Sequence, residues 1–119
     1  MKTILVVDDE RDIVNTLKAR LEANQYKVLT AYDGDEGLKS VDQENPDLII
    51  LDIGMPKMDG YTFVRELRSN DLTSRIPVVI LTAKDRLQDI FKLEGVKDYI
   101  VKPYDSADLL SRVKKILGE

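Results

Sequence analysis

Neither cysteine nor histidine occurs among the 119 residues, and those two absences remove much of the catalytic repertoire. Disulfides, thiol nucleophiles, imidazole acid–base chemistry and the usual zinc sites are excluded. Any metal must be held by oxygen, which points to Mg²⁺, Mn²⁺ or Ca²⁺. The basic residues are scattered and the net charge is −4, so no electrostatic footprint for nucleic acid is visible. No apolar run approaches the roughly 20 residues that a membrane span needs. The N-terminus enters the strand-like Ile4-Leu5-Val6-Val7 directly, without a signal-peptide layout. A cytoplasmic protein with no membrane contact is expected. Repeats, linkers and low-complexity tracts are missing too, and the length fits one domain, 1–119, with no effector domain in this chain.

What is present is an alternation of two periods. Ile4–Val7, Tyr26–Ala31, Leu48–Leu51, Val78–Leu81 and Asp98–Val101 read as strands. Between and after them lie helical patterns: Ile13, Leu17 and Leu21; Leu38 and Val41; Phe63, Val64 and Leu67; Leu87, Ile90 and Phe91; Leu109, Val113, Ile116 and Leu117. Asn45-Pro46 stops the second helix, Gly95 suits the end of the fourth, and Asp105 or Ser106 can cap the last. Five strand–helix units imply an α/β fold with a parallel sheet, helices on both faces and right-handed crossovers. The five-strand, doubly wound, flavodoxin-like (βα)5 version, with order 2-1-3-4-5, suits this length.

In a parallel sheet every strand's carboxyl end lies on one edge. That edge would gather Asp8-Asp9, Asp52, Thr82 and Lys102, from the first, third, fourth and fifth strands. Each has an ordinary reading alone. Asp52 could start a turn, the acidic run Asp8-Asp9-Glu10 could favour a helix dipole, Thr82 could end a strand, and Lys102 could be solvated. Together they suggest chemistry. Two carboxylates about 4 Å apart repel by about 4 kcal/mol at an effective dielectric near 20. A hard divalent cation answers that repulsion, and Mg²⁺ typically takes carboxylates, water and phosphate oxygens. Lys102 adds a positive charge suited to phosphate. With cation, ammonium and hydroxyl converging, Asp52 reads as a nucleophile that forms an aspartyl phosphate.

The segments Val6-Val7-Asp8-Asp9-Glu10, Asp52 with Met55-Pro56-Lys57-Met58-Asp59-Gly60, Leu81-Thr82-Ala83, and Asp98-Tyr99-Ile100-Val101-Lys102-Pro103 resemble a known family. The chain is similar, over essentially its whole length, to receiver domains of two-component response regulators of the chemotaxis-regulator type. The resemblance implies that Asp52 is the phosphoacceptor, charged by a sensor histidine kinase, a histidine phosphotransfer protein or a small acyl phosphate. It implies Mg²⁺, with Mn²⁺ as a substitute, held directly by Asp9, Asp52 and the Gly54 backbone carbonyl, and by Asp8 through water. Thr82 and Lys102 would engage the phosphoryl group, Tyr99 would be the aromatic switch, and Lys102-Pro103 would be cis. The output would pass to a downstream protein target, to an effector lost from a longer chain, or through a phosphorylation-dependent homodimer. It would act as a signalling domain rather than an enzyme.

The chain departs from the family pattern at Gly54, where relatives often carry a side chain, and at Lys84, where a carboxylate or smaller group is common. The Thr82–Lys102 interval is also slightly short. These sites bear on the lifetime of a phosphorylated state and on partner contacts. A rival reading, a haloacid-dehalogenase-type phosphohydrolase, wants a second Asp where Gly54 stands. A flavodoxin-type nucleotide module wants a Gly-rich phosphate loop after the first strand, where acids stand instead.

Overall fold

The computed structural model describes residues 1–55, 60–83 and 96–119. Pro56, Lys57, Met58 and Asp59 of the loop motif, Lys84, and the expected fourth helix with Leu87, Ile90, Phe91 and Gly95 lie outside the described residues. The described elements are β1 (Thr3–Val7), α1 (Arg11–Ala23), β2 (Lys27–Ala31), α2 (Gly34–Glu44), β3 (Leu48–Asp52), α3 (Gly60–Arg68), β4 (Val78–Ala83), β5 (Val96–Lys102) and α4 (Ser106–Leu117). The sheet order is β2-β1-β3-β4-β5, as expected, and every pairing is parallel.

Strand alternation explains the two cores. Ile4, Val6, Leu48, Ile50, Val79 and Leu81 point to one face and pack with Val14, Leu17 and Leu21 of α1 and Leu109 and Val113 of α4. Leu5, Val7, Ile49, Leu51, Val78 and Ile80 point to the other face, against Val41 of α2 and Phe63, Val64 and Leu67 of α3. Because both faces are covered, β1, β3 and β4 read as unbroken apolar runs. The α1 stripe differs from the expected one by a small rotation. Val14 is fully buried, while Ile13 packs at the rim.

Local chemistry sets the helix ends. Asp33 caps α2 by accepting the Glu36 N–H at 2.8 Å, and Glu36 reaches back to the Tyr32 N–H at 2.7 Å. Asn45 ends α2 in the left-handed region, φ 49°. Gly37, helix-weakening in sequence terms, lets α2 approach closely: a Cβ there would lie 2.8 Å from Phe63 and 3.1 Å from Val7. Asp105 caps α4 through the Ala107 N–H. The Lys102–Pro103 bond is cis, as expected.

One contact ties the residues just past α4 back to the residue that leads into β2. The Tyr26 hydroxyl, on a side chain only 4% exposed, donates to Glu119 Oε1 at 2.5 Å. Burial, then the bond to Glu119 and its negative charge, push the phenol up from 10.0 to about 12. The folded state therefore holds this proton more tightly than the unfolded chain. Its contribution is complete below pH 10.0 and is lost as pH rises through about 12. Tyr26→Phe is expected to cost about 1 kcal/mol at neutral pH and to remove that alkaline component. Urea denaturation from neutral to strongly alkaline pH checks both.

Candidate functional site

Parallel pairing brings the strand ends together. Asp8 follows β1, Asp52 closes β3 and Lys102 closes β5. The register sets Asp52 opposite Leu81 and Thr82 opposite Val101, so Thr82 stands one residue beyond the level of Asp52. Lys102 Nζ lies 3.0 Å from Asp8 Oδ2, 3.0 Å from Glu10 Oε1 and 3.5 Å from Asp52 Oδ2. Backbone donors steady the two buried carboxylates: the Glu10 N–H is 3.0 Å from Asp8 Oδ1, and the Gly54 N–H is 3.0 Å from Asp52 Oδ1.

The electrostatics follow from burial and from three anions sharing one cation. Asp8 is fully buried. Burial raises its carboxyl from 3.8 to about 6, against the Glu10 N–H and Lys102, while the Asp52 charge adds to the rise. Burial alone would lower Lys102. The bonds to Asp8 and Glu10 and the charges of Asp52 and Asp8 outweigh it and raise the ammonium above its ordinary range. The pair therefore favours the charged lysine more than it favours the charged Asp8. Tyr104, half-buried beside the site, is raised by burial and by the Asp8 charge.

Among the described residues, the carboxylates that can converge on one cation are Asp8, Glu10 and Asp52, with ligand atoms all within 4.8 Å of one another. Asp9, expected as a direct ligand, is exposed and not part of this group, whereas the exposed Glu10 reaches it with its carboxylate. Hard oxygen donors carrying excess negative charge fit Mg²⁺ or Mn²⁺. Thr82 is fully buried, and its hydroxyl donates to the Ala83 carbonyl at 3.1 Å. Tyr99 faces outward on the edge strand, 46% exposed, apart from the carboxylate cluster. Gly54 supplies no acid–base side chain, only the N–H to Asp52, so nothing here supports the phosphohydrolase reading. Sequence reasoning passed over two residues, Glu10 and Tyr104. A carboxylate beside the Asp pair was a signal for the first; nothing marked the second.

Residues 4–114 match the family described as the response regulator receiver domain. The chain belongs to the response regulator receiver family. It is 47% identical over 118 residues to the alkaline phosphatase synthesis transcriptional regulatory protein PhoP of Bacillus subtilis, covering 98% of this chain and 48% of that protein. The chain thus spans about half the length of the curated relatives it matches. Among solved structures, the chemotaxis protein CheY4 of Vibrio cholerae superposes with a TM-score of 0.91 at 30% identity, covering 98% of both chains. The receiver domain of the Pseudomonas aeruginosa sensor histidine kinase PA1611, described with a magnesium ion coordinated in its active-site cleft, gives 0.88 at 30% identity over 99% of this chain and 98% of that one. Receiver domains of this family work with histidine kinases in two-component signalling, and the fold is the flavodoxin-like one expected.

In this receiver domain Lys102 is the one cation bonded to the buried pair Asp8 and Asp52 among the described residues. Removing it leaves like charges facing each other in a poorly solvated site. Lys102→Met is therefore expected to destabilise the metal-free protein by about 2 kcal/mol. Added Mg²⁺ should recover most of that loss. Urea denaturation in chelator and in Mg²⁺ checks it.

Proposed function

We propose that this receiver domain accepts a phosphoryl group on Asp52, from a histidine kinase, a histidine phosphotransfer protein or a small acyl phosphate. The observation that carries the reading is the convergence of Asp8, Asp52 and Lys102 at one sheet edge, with the ammonium 3.0 Å from the first carboxylate and 3.5 Å from the second. The bond between phosphorus and the donor's leaving atom breaks as a bond from phosphorus to an Asp52 oxygen forms. The electron pair departs with the leaving group, which is imidazole for a phosphohistidine and acetate for acetyl phosphate.

The Gly54 N–H orients Asp52 by engaging Oδ1, which leaves Oδ2 on the Lys102 side. Lys102 offers an ammonium to the incoming oxygens. The ligand set that family likeness supports is Asp52 and Asp9 directly, the Gly54 carbonyl, and Asp8 through water. Asp8 and Asp52 already face each other, and Asp9 adjoins Asp8 on the same turn. When bound, Mg²⁺ or Mn²⁺ would supply the positive charge that lets one anion approach another.

Phosphorylation would then act as a switch. The added oxygens can be bound by the Thr82 hydroxyl and Lys102 in one conformation and not in the other, with Tyr99 turning inward as Thr82 moves. Shifting a domain from 1:99 to 99:1 takes about 5.5 kcal/mol, the order that a few charge-assisted hydrogen bonds supply. The transcriptional regulators among its relatives support an output through transcription, carried by an effector or a separate protein target; the domain itself is read as making no nucleic-acid contact. A phosphorylation-dependent homodimer is one form such output can take. Incubation with acetyl phosphate is expected to add one phosphoryl mass in Mg²⁺ and none in chelator. Equal uptake in chelator would refute the metal-assisted reading.

A further inference from the structure

Glu10 is unusual among the residues around the site. It occupies the N-cap position of α1, where Ser, Thr, Asp or Asn normally close the first turn, yet its side chain makes no capping bond. The carboxylate instead crosses the sheet edge to a residue far along the chain, accepting from Lys102 Nζ at 3.0 Å. That is as short as the bond to buried Asp8, and shorter than the 3.5 Å separating Lys102 from Asp52. The helix start forgoes a cap while the lysine gains a second anchor.

We infer that Glu10 is a positioning residue that holds the Lys102 ammonium in the unphosphorylated site and must release it before Lys102 pairs with a phosphoryl group on Asp52. The inference rests on the reading of Asp52 as phosphoacceptor. Burial decides which anchor yields. The Asp8 side chain is wholly buried and cannot be rehydrated, whereas the Glu10 side chain is 57% exposed and returns to water at little cost. The ion pair belongs to the ground state alone, so it slows the reaction that breaks it.

Three proteins test this: the wild type, Glu10→Gln, which keeps length but not charge, and Glu10→Asp, which keeps charge but shortens the reach. Two quantities are read: the rate of phosphoryl uptake from acetyl phosphate in saturating Mg²⁺, by intact mass, and the exchange of the Lys102 ammonium protons in metal-free protein, by ¹⁵N NMR. Glu10→Gln is expected to accelerate uptake about fivefold and to speed ammonium exchange, with Glu10→Asp following in both. Uptake unchanged in Glu10→Gln overturns the inference. So does faster uptake with Lys102 exchange unaltered, which would mean that Glu10 acts through net charge. Absence of uptake by the wild type itself overturns the Asp52 reading, and this inference with it.

Discussion

Asp52→Asn is expected to take up no phosphoryl group from acetyl phosphate under conditions that label the wild type. The amide is close in shape and keeps an acceptor oxygen for the Gly54 N–H, so the β3 end should remain as it is. It lacks the anionic oxygen that attacks phosphorus, and a neutral carboxamide is a far poorer nucleophile. The variant should also fold at least as firmly, because Asp52 adds to the repulsion that raises Asp8. Loss of labelling therefore cannot be attributed to loss of structure. Intact mass beside a urea curve separates the two, and labelling at the wild-type level would remove Asp52 from the role.

The second large effect is on stability, and its sign is opposite to what deleting a buried ion-pair partner usually brings. Removing one member of an isolated pair strands its partner. Here Lys102 has three anions, so Asp8→Asn still leaves it Glu10 and Asp52. The carboxyl at position 8 titrates at about 6 in the fold against 3.8 as a free side chain, so the folded state holds its proton more tightly. Metal-free stability should consequently rise as pH falls from about 6 towards 3.8, the reverse of a carboxylate with a lowered pKa. Asp8→Asn abolishes that slope and should stabilise the chelated protein near neutral pH by about 1–2 kcal/mol, less than the whole shift implies because Lys102 gives up one bonded anion. Saturating Mg²⁺ should reverse the order, since the wild type gains binding energy that the variant largely forfeits. Urea curves in chelator and in Mg²⁺ check the crossing. Such a trade of stability for function is common at sites that store like charges.

Much of this was legible before any coordinates. The runs Ile4–Val7, Leu48–Leu51 and Val78–Leu81 are strands covered on both faces, and no other local structure accounts for them as simply. Once the sheet is parallel, Asp52 and Lys102 must share an edge, because topology alone places strand ends. What topology does not set is the direction of a side chain on a turn. In Asp8-Asp9-Glu10 three acids follow one another, and which of them reaches the lysine beside Asp8 depends on the backbone at the start of α1 and on the position of β5. No local pattern encodes that pairing. Ile13 and Val14 make the same point on a smaller scale: spacing located the stripe, and the docking angle of α1 chose between neighbours.

The most direct measurement is to locate the modification itself. Acyl phosphates are reduced by borohydride to the alcohol, which converts a phosphorylated aspartate to homoserine that peptide mapping can place. After incubation with acetyl phosphate and Mg²⁺, homoserine is expected at position 52 and at no other acidic residue. Homoserine at position 8 or 9, the longer amino alcohol of a reduced glutamyl phosphate at position 10, or a labelled protein with Asp52 intact, would contradict the assignment.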